Sequence, residues 1–186
     1  TCNILKIDNK NNLIGDMTDI RGFEKTIKAL DLDIKNKNIL LVGAGGIGTS
    51  LSHYFLTEGV KKVRIHDVNK RKSEQLCETI RNKSPKFNFK IWNYNKNNFD
   101  YLINASPAGI NNEYPVHQKI IKNSKVVVDF VLSNKKTKLL EIAKINNSKI
   151  ISGYEILINQ IPFMLKFFGF KRISKSEMDK IKNKYI

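Results

Sequence analysis

Cysteine, histidine, acidic side chains and long apolar runs are all scarce in this sequence, and each scarcity excludes a class of protein. Two cysteines in 186 residues, Cys2 and Cys77, with no CxxC pair, build neither a disulfide framework nor a thiolate zinc site. A reducing compartment follows as the default, and the expected location is the cytoplasm. The three histidines, His53, His66 and His117, lack metal-ligand spacing, so no metal is expected. No apolar run reaches the length of a bilayer span, and the first residues have no signal-peptide pattern. The most apolar late stretch, 156–170, is interrupted by Asn159, Gln160, Pro162 and Lys166 and reads as a buried or half-buried helix, so no membrane partner is expected. Seventeen Asp and Glu stand against 33 Lys and Arg, a formal net charge of +16. The lysines are spread over nearly every segment beside Asn and Ser, as on a solvated basic face. An aromatic-basic stripe and a recognition motif are both missing, so nucleic acid is not an expected partner.

What is present is a regular order of elements. At this length and 41% hydrophobic content, one main core stands without staples. Residues 3–7 read as a strand, 8–12 as a turn and 13–14 as its continuation. A strand beginning so soon after Thr1 suggests a chain entered midway, by processing to a mature protein or by omission of a preceding segment. From residue 18, Ile20, Phe23, Ile27 and Leu30 share one helical face, with either Thr18 or Asp19 as the cap. Strands are expected at 38–42, 62–66, 87–91, 101–105, 126–129 and 149–151. Helices are expected at 49–57, 73–83, about 117–122, 137–145 and 155–168, and Ser174 with Glu177 has capping-box spacing before a last helix. Apolar strands alternating with helices predict an α/β fold, a Rossmann-type, mostly parallel sheet with helices on both faces.

Between the strand at 38–42 and the helix after it lies Gly43-Ala44-Gly45-Gly46-Ile47-Gly48, a GxGxxG turn. Three glycines there meet three demands: a tight turn, close approach of the backbone to a pyrophosphate, and close packing of helix on strand. The helix N-terminus then offers N–H groups to phosphate oxygens. Asp67 ends the next strand, 19 residues past Gly48, where a carboxylate receives ribose hydroxyls and repels a 2′-phosphate. The expected cofactor is NAD, with NADP as the alternative because Lys61, Lys62 and Arg71 are near in sequence. Related turns also serve flavins and nucleoside-containing methyl donors, and Asp67 by itself also reads as a helix cap or surface carboxylate.

Further polar residues sit where ligands of such sheets bind, outside the carboxyl ends of the strands. Asn104-Ala105-Ser106-Pro107-Ala108-Gly109 follows the fourth strand of the alternating pattern, where small residues suit close approach to a nicotinamide ring. Asp129 ends the fifth strand and Gly153 follows the sixth. Gln160, polar within an apolar helix, needs partners and reads as a network residue or a substrate contact. Asp19 reads either as an N-cap or as part of the proton delivery that ketone reduction requires.

Taken in order, these motifs resemble the C-terminal portion of shikimate dehydrogenase and the related quinate/shikimate dehydrogenases, over essentially the whole chain. The resemblance is carried by Gly15-Asp16-Met17-Thr18-Asp19-Ile20-Arg21-Gly22-Phe23, Val42-Gly43-Ala44-Gly45-Gly46, Ile103–Gly109, Val128-Asp129, Thr137-Lys138-Leu139-Leu140 and Gly153–Gln160. It implies reversible NAD(P)-dependent reduction of 3-dehydroshikimate to shikimate, with Asp19 as catalytic aspartate and Asn3 and Gln160 on substrate. Gly43, Ala44, Gly45, Gly46, Ile47, Asp67, Asn104, Ala105, Ser106 and Gly153 would hold the cofactor. The family's lysine lies upstream of the segment that Thr1-Cys2-Asn3-Ile4 resembles, so the resemblance implies a further N-terminal catalytic domain as partner. It divides the chain into the end of that domain at 1–17, the cofactor domain at 18–170 and a C-terminal helix at 171–186.

The sequence also departs from the family pattern. Met17 stands where the family has Asn, Ile4 where it has Thr, Leu132 for a tyrosine, Asn134 for a proline and Ile156 for a methionine. Asp67-Val68-Asn69 replaces an N-R-T cofactor segment. The alternative reading is an NAD-binding module without full catalysis, or a paralogue acting on another cyclic polyol or acid.

Overall fold

A computed structural model of the chain describes residues 1–95, 98–133 and 135–185, so the departure at Asn134 lies outside the described residues. The chain forms two compact units, one of Thr1–Asp33 with Tyr154–Ile186, the other of Ile34–Gly153. The helix at 18–29 is locked to the helix at 153–168, and both group with the N-terminal hairpin.

The second unit is a six-stranded, wholly parallel sheet of β3 (Asn38–Val42), β4 (Lys62–His66), β5 (Phe89–Ile91), β6 (Phe99–Asn104), β7 (Ser124–Asp129) and β8 (Lys149–Ile151), in the order β5-β4-β3-β6-β7-β8. Helices α2 (Gly46–Thr57), α3 (Lys70–Lys83), α4 (Gln118–Lys122) and α5 (Lys138–Ile145) make the crossovers. Ile39, Leu40, Leu41 and Val42 in β3 are all buried, as a central strand covered on both sides requires. Leu40, Val42, Leu102 and Val127 pack with Ile120, Ile121, Leu139, Leu140 and Ala143 of α4 and α5, while the pleat turns Ile39 and Leu41 to the opposite face. Strand order reverses between β3 and β6. That switch point is the place where open parallel sheets bind ligands.

The first unit contains the antiparallel hairpin β1 (Ile4–Ile7) and β2 (Leu13–Asp16), α1 (Thr18–Ala29), most of α6 (Gly153–Phe168) and α7 (Lys175–Tyr185). Asp8 ties the hairpin turn by accepting from the N–H groups of Lys10 and Asn12, both at 2.8 Å. Helices α1 and α6 approach closely at Gly22, where a Cβ would stand 2.4 Å from Gln160 Cγ and 2.6 Å from the Ile156 carbonyl. One turn on, Asn159 Nδ2 donates to Thr26 Oγ1 at 2.9 Å, and that hydroxyl donates to the Gly22 carbonyl at 2.8 Å. The capping box before α7 forms as expected, Ser174 N–H donating to Glu177 and Glu177 N–H to Ser174 Oγ.

Several boundaries differ from the sequence reading. α2 begins at Gly46 rather than Thr49, because the glycines read as turn residues are already helical. α3 begins at Lys70 rather than Ser73, capped by Asn69. Neither Thr18 nor Asp19 caps α1: Met17 occupies the cap without a side-chain hydrogen bond, and Asn3, fifteen residues upstream, accepts from Thr18 N–H at 2.8 Å.

Candidate functional site

The glycine turn is built from contacts that side chains would prevent. Gly43 has φ +102°, and a Cβ on it would lie 2.6 Å from the Ala105 carbonyl oxygen. Its N–H donates to the His66 carbonyl and Ala105 N–H donates to the Val42 carbonyl, each at 2.7 Å, so the ends of β3, β4 and β6 are stitched together. A Cβ on Gly48 would meet the Gly43 carbonyl at 1.9 Å, which fixes how closely α2 sits on the turn. Gly45 is different. Among the described residues a Cβ there would meet nothing within 4 Å; its Cα faces open space. The first bond of the α2 turn runs from Thr49 N–H to the Gly45 carbonyl at 2.8 Å, so the N–H groups of residues 46–48 precede it and have no intrahelical partner.

Asp67 is bound to this turn. Its Oδ2 accepts from Ala44 N–H and its Oδ1 from Asn69 N–H, both at 2.8 Å. It is therefore neither a helix cap nor a loose surface carboxylate, and a carboxylate with two bonds keeps lone pairs for further donors. Beside it opens a cleft of about 470 Å3 lined among others by Gly43, Gly45, Asp67, Lys72, Ala105 and Ser106. That volume lies in the range of small-molecule sites.

A buried network shapes the opposite wall. Asn104 Nδ2 donates to the Ala108 carbonyl at 2.8 Å and to Asp129 Oδ1 at 2.9 Å, while Asn104 Oδ1 accepts from Ser106 Oγ at 2.6 Å. Asp129 also accepts from Val131 N–H and from Thr137 Oγ1. Burial pushes the Asp129 carboxyl above its usual range, against the pull of Thr137, Val131 and Asn104. Gly109, at φ +114°, ends the loop that these bonds hold. Gly153 lies where a Cβ would strike the Val131 carbonyl at 2.6 Å.

The first unit has its own polar cluster. Asp19, in the first turn of α1, accepts from Gln160 Nε2 at 2.8 Å. Thr18 Oγ1 lies 3.2 Å from Gln160 Oε1 and accepts from Asn3 Nδ2 at 3.0 Å. Burial raises the Asp19 carboxyl above its ordinary value, and the amides of Gln160 and Asn3 partly offset that rise.

All the expected residues but Gly153, which lies against the Phe130 and Val131 carbonyls away from the cleft lining, gather in two places. Gly43, Ala44, Gly45, Asp67, Asn104, Ala105 and Ser106 surround the cleft end of the sheet, with Gly46 and Ile47 in the first turn of α2. Asn3, Asp19 and Gln160 meet in the first unit. Two residues escaped the sequence reading. Thr18, fully buried, was masked by its appearance as a cap. Lys72 lines the cleft because α3 starts three residues earlier than its apolar periodicity indicates.

A family model described as Shikimate / quinate 5-dehydrogenase matches residues 24–147. The chain belongs to this family. It is 32% identical over 158 residues to a shikimate dehydrogenase (NADP(+)) of Nitrosopumilus maritimus, covering 83% of this chain and 58% of that relative. The chain therefore spans a little over half the length of such family members. A shikimate dehydrogenase solved in complex with NADP+ superimposes with a TM-score of 0.81 at 26% identity, over 100% of this chain and 67% of the other. A quinate dehydrogenase from Corynebacterium glutamicum, solved with NAD, has a TM-score of 0.81 at 22% identity, covering 99% of this chain and 68% of that one, and supports the fold alone. The family thus fits the parallel sheet and its glycine turn. Among the described residues no helix is long and apolar enough to cross a membrane, and no group of three or more metal-ligating side chains occurs.

Proposed function

We propose that the chain is the cofactor-binding part of an NAD(P)-dependent oxidoreductase that interconverts a ring ketone and a ring alcohol of a shikimate-like acid. The observation that carries this reading is the open space above Gly45 between the Asp67 carboxylate and the start of α2. A pyrophosphate fits there sterically, because no Cβ intrudes, and electrostatically, because helix N-terminal N–H groups favour negative charge. Asp67, held by Ala44 and Asn69, would receive ribose hydroxyls and disfavour a 2′-phosphate, so NAD is preferred over NADP. Lys72, also on the cleft, is the residue that would let NADP compete.

When bound, the nicotinamide would donate or accept hydride. The chain's own residues would do the rest. Ala105 and Ser106, anchored through Asn104 and Asp129, would present a small, rigid wall to the ring. Asp19 would accept a substrate hydroxyl and share in moving its proton, a role that suits a carboxyl raised by burial. Asn3 and Gln160 would contact substrate and orient Asp19. The lysine of the proton relay would come from residues outside this sequence, which spans 58% of the Nitrosopumilus maritimus relative.

The test is titration of the intact protein with NADH and NADPH, followed by assay of shikimate and of quinate with NAD+ and with NADP+ as hydride acceptor. The expected result is saturable binding favouring NADH, with dehydrogenation of at least one of the two acids. Failure to bind either dinucleotide would overturn the reading. This chain alone is expected to bind cofactor but turn over poorly, since hydride transfer needs both reactants positioned together.

A further inference from the structure

Thr18 is the least exposed member of the polar cluster. Its N–H donates to Asn3 Oδ1 at 2.8 Å, and its hydroxyl oxygen accepts from Asn3 Nδ2 at 3.0 Å. The hydroxyl has one proton and two acceptors in reach, Gln160 Oε1 at 3.2 Å and Asn3 Oδ1 at 3.3 Å. Asn3 Oδ1 already receives the Thr18 N–H. Gln160 is buried, and among the described residues its Oε1 has no other hydrogen-bond donor than Thr18. A buried acceptor left empty is costly, so the arrangement that satisfies every group sends the Thr18 proton to Gln160. The carboxamide is then fixed end for end: oxygen toward Thr18, nitrogen toward Asp19, where Nε2 donates at 2.8 Å.

We propose that Thr18 is a positioning residue for the reaction, holding the Gln160 carboxamide so that its nitrogen faces the Asp19 carboxylate. This inference concerns the site assigned above and rests on that assignment for its place in catalysis; the hydrogen-bond chain itself does not. Thr18 acts through Gln160, and Gln160 acts on Asp19. Packing reinforces the chain, because Gly22 admits Gln160 Cγ within 2.4 Å of where its own Cβ would be, which confines the glutamine stem. The remaining influence on Asp19 comes from burial and the Asn3 amide; among the described residues no charged side chain contributes to its shift.

The experiment is carboxyl 13C titration of Asp19 by NMR in the ligand-free chain. It compares the parent with Thr18→Val, Thr18→Ser, Gln160→Met and the double variant Thr18→Val/Gln160→Met. Loss of the Gln160 donor removes a bond that favours the carboxylate. Thr18→Val is therefore expected to move the Asp19 titration upward, Thr18→Ser to leave it in place, and the double variant to match Gln160→Met alone. An unmoved titration in Thr18→Val, or a further shift when it is added to Gln160→Met, would overturn the proposal. Should Thr18→Val fail to fold, Thr18→Ala with the same double-variant comparison serves. In the complete protein, the acid limb of the pH–rate profile is expected to shift with the titration. A shifted titration without any dehydrogenase activity would sink the functional reading and leave the hydrogen-bond chain standing.

Discussion

Gly45 and Gly48 lie three residues apart in one motif, yet the structure assigns them opposite sensitivities to a single added methyl. At Gly48 the new Cβ would stand 1.9 Å from the Gly43 carbonyl oxygen, a backbone atom that cannot swing aside. Relief requires α2 to retreat from the end of β3 by more than an ångström. Overpacking of this kind costs about 3 kcal/mol, and the better helix propensity of alanine returns about 1 kcal/mol. The net, about 2 kcal/mol, is a fall in Tm of about 4–8 °C for a chain of this size. At Gly45 the methyl meets nothing, and φ −82°, ψ −159° is extended backbone that alanine adopts without strain. The only structural loss is a poorer N-cap, about 0.5–1 kcal/mol. Binding should invert this order of severity. The Gly45 methyl projects into the space assigned to the pyrophosphate, and loss of charge-assisted hydrogen bonds worth about 1.5–3 kcal/mol weakens NADH about 10- to 150-fold. Thermal unfolding and a titration following energy transfer from the single tryptophan, Trp92, to NADH measure both effects on the same samples. A folded Gly45→Ala protein that binds NADH as tightly as the parent would refute the placement of the pyrophosphate. A Gly48→Ala protein as stable as the parent would refute the packing argument.

Other expectations follow from single observations. Met17 caps α1 with no side-chain bond, so Met17→Asn should add about 1 kcal/mol, seen as a Tm rise of about 2–4 °C; an unchanged Tm would count against the cap assignment. Cys77 is buried and its thiol pushed up to about 11, whereas Cys2 is exposed. A thiol reagent at pH 8 should therefore modify one cysteine rapidly in the folded chain and the second only on unfolding. Asp129→Ala strips an acceptor from Asn104, Thr137 and Val131 N–H and should destabilise by about 3 kcal/mol or more in denaturant titration, a larger loss than Asp129→Asn. Burial pushes the Asp100 carboxyl upward, but the Lys125 bond, the Asn38 N–H and the charges of Lys125 and Lys37 together outweigh it and hold it below its usual range. A depressed carboxyl binds fewer protons folded than unfolded, so its contribution is present above the unfolded pKa and fades as pH falls through the folded one. Asp100→Asn should therefore lose stability at pH 7 and lose none at the acid end of the titration.

The parallel sheet was legible because its strands are short apolar runs separated by helices, and the motif from Val42 to Gly48 carries its reasons in its spacing. Its partner Asp67 could be placed at a strand end, but not seen bonding Ala44, since 23 residues separate them. Capping of α1 was misjudged for the same reason: Asn3 supplies from a hairpin what Thr18 and Asp19 looked able to supply locally. Helix starts at Gly46 and Lys70 were hidden because glycine and a run of cations have no apolar periodicity. Gln160 was recognisable as a buried amide in need of partners. That its two ends reach Thr18 and Asp19 depends on the close approach of α6 to α1 at Gly22, which no local pattern reveals.

The central claim is that the glycine turn seats a nicotinamide dinucleotide, and at 21.4 kDa the chain is small enough to test it residue by residue. Backbone 15N–1H spectra recorded through a titration with NAD+ should show the largest shifts at residues 43–48, 67–69 and 105–106. Saturation of those signals together would bear the claim out; shifts confined to other surfaces, or none at millimolar NAD+, would contradict it.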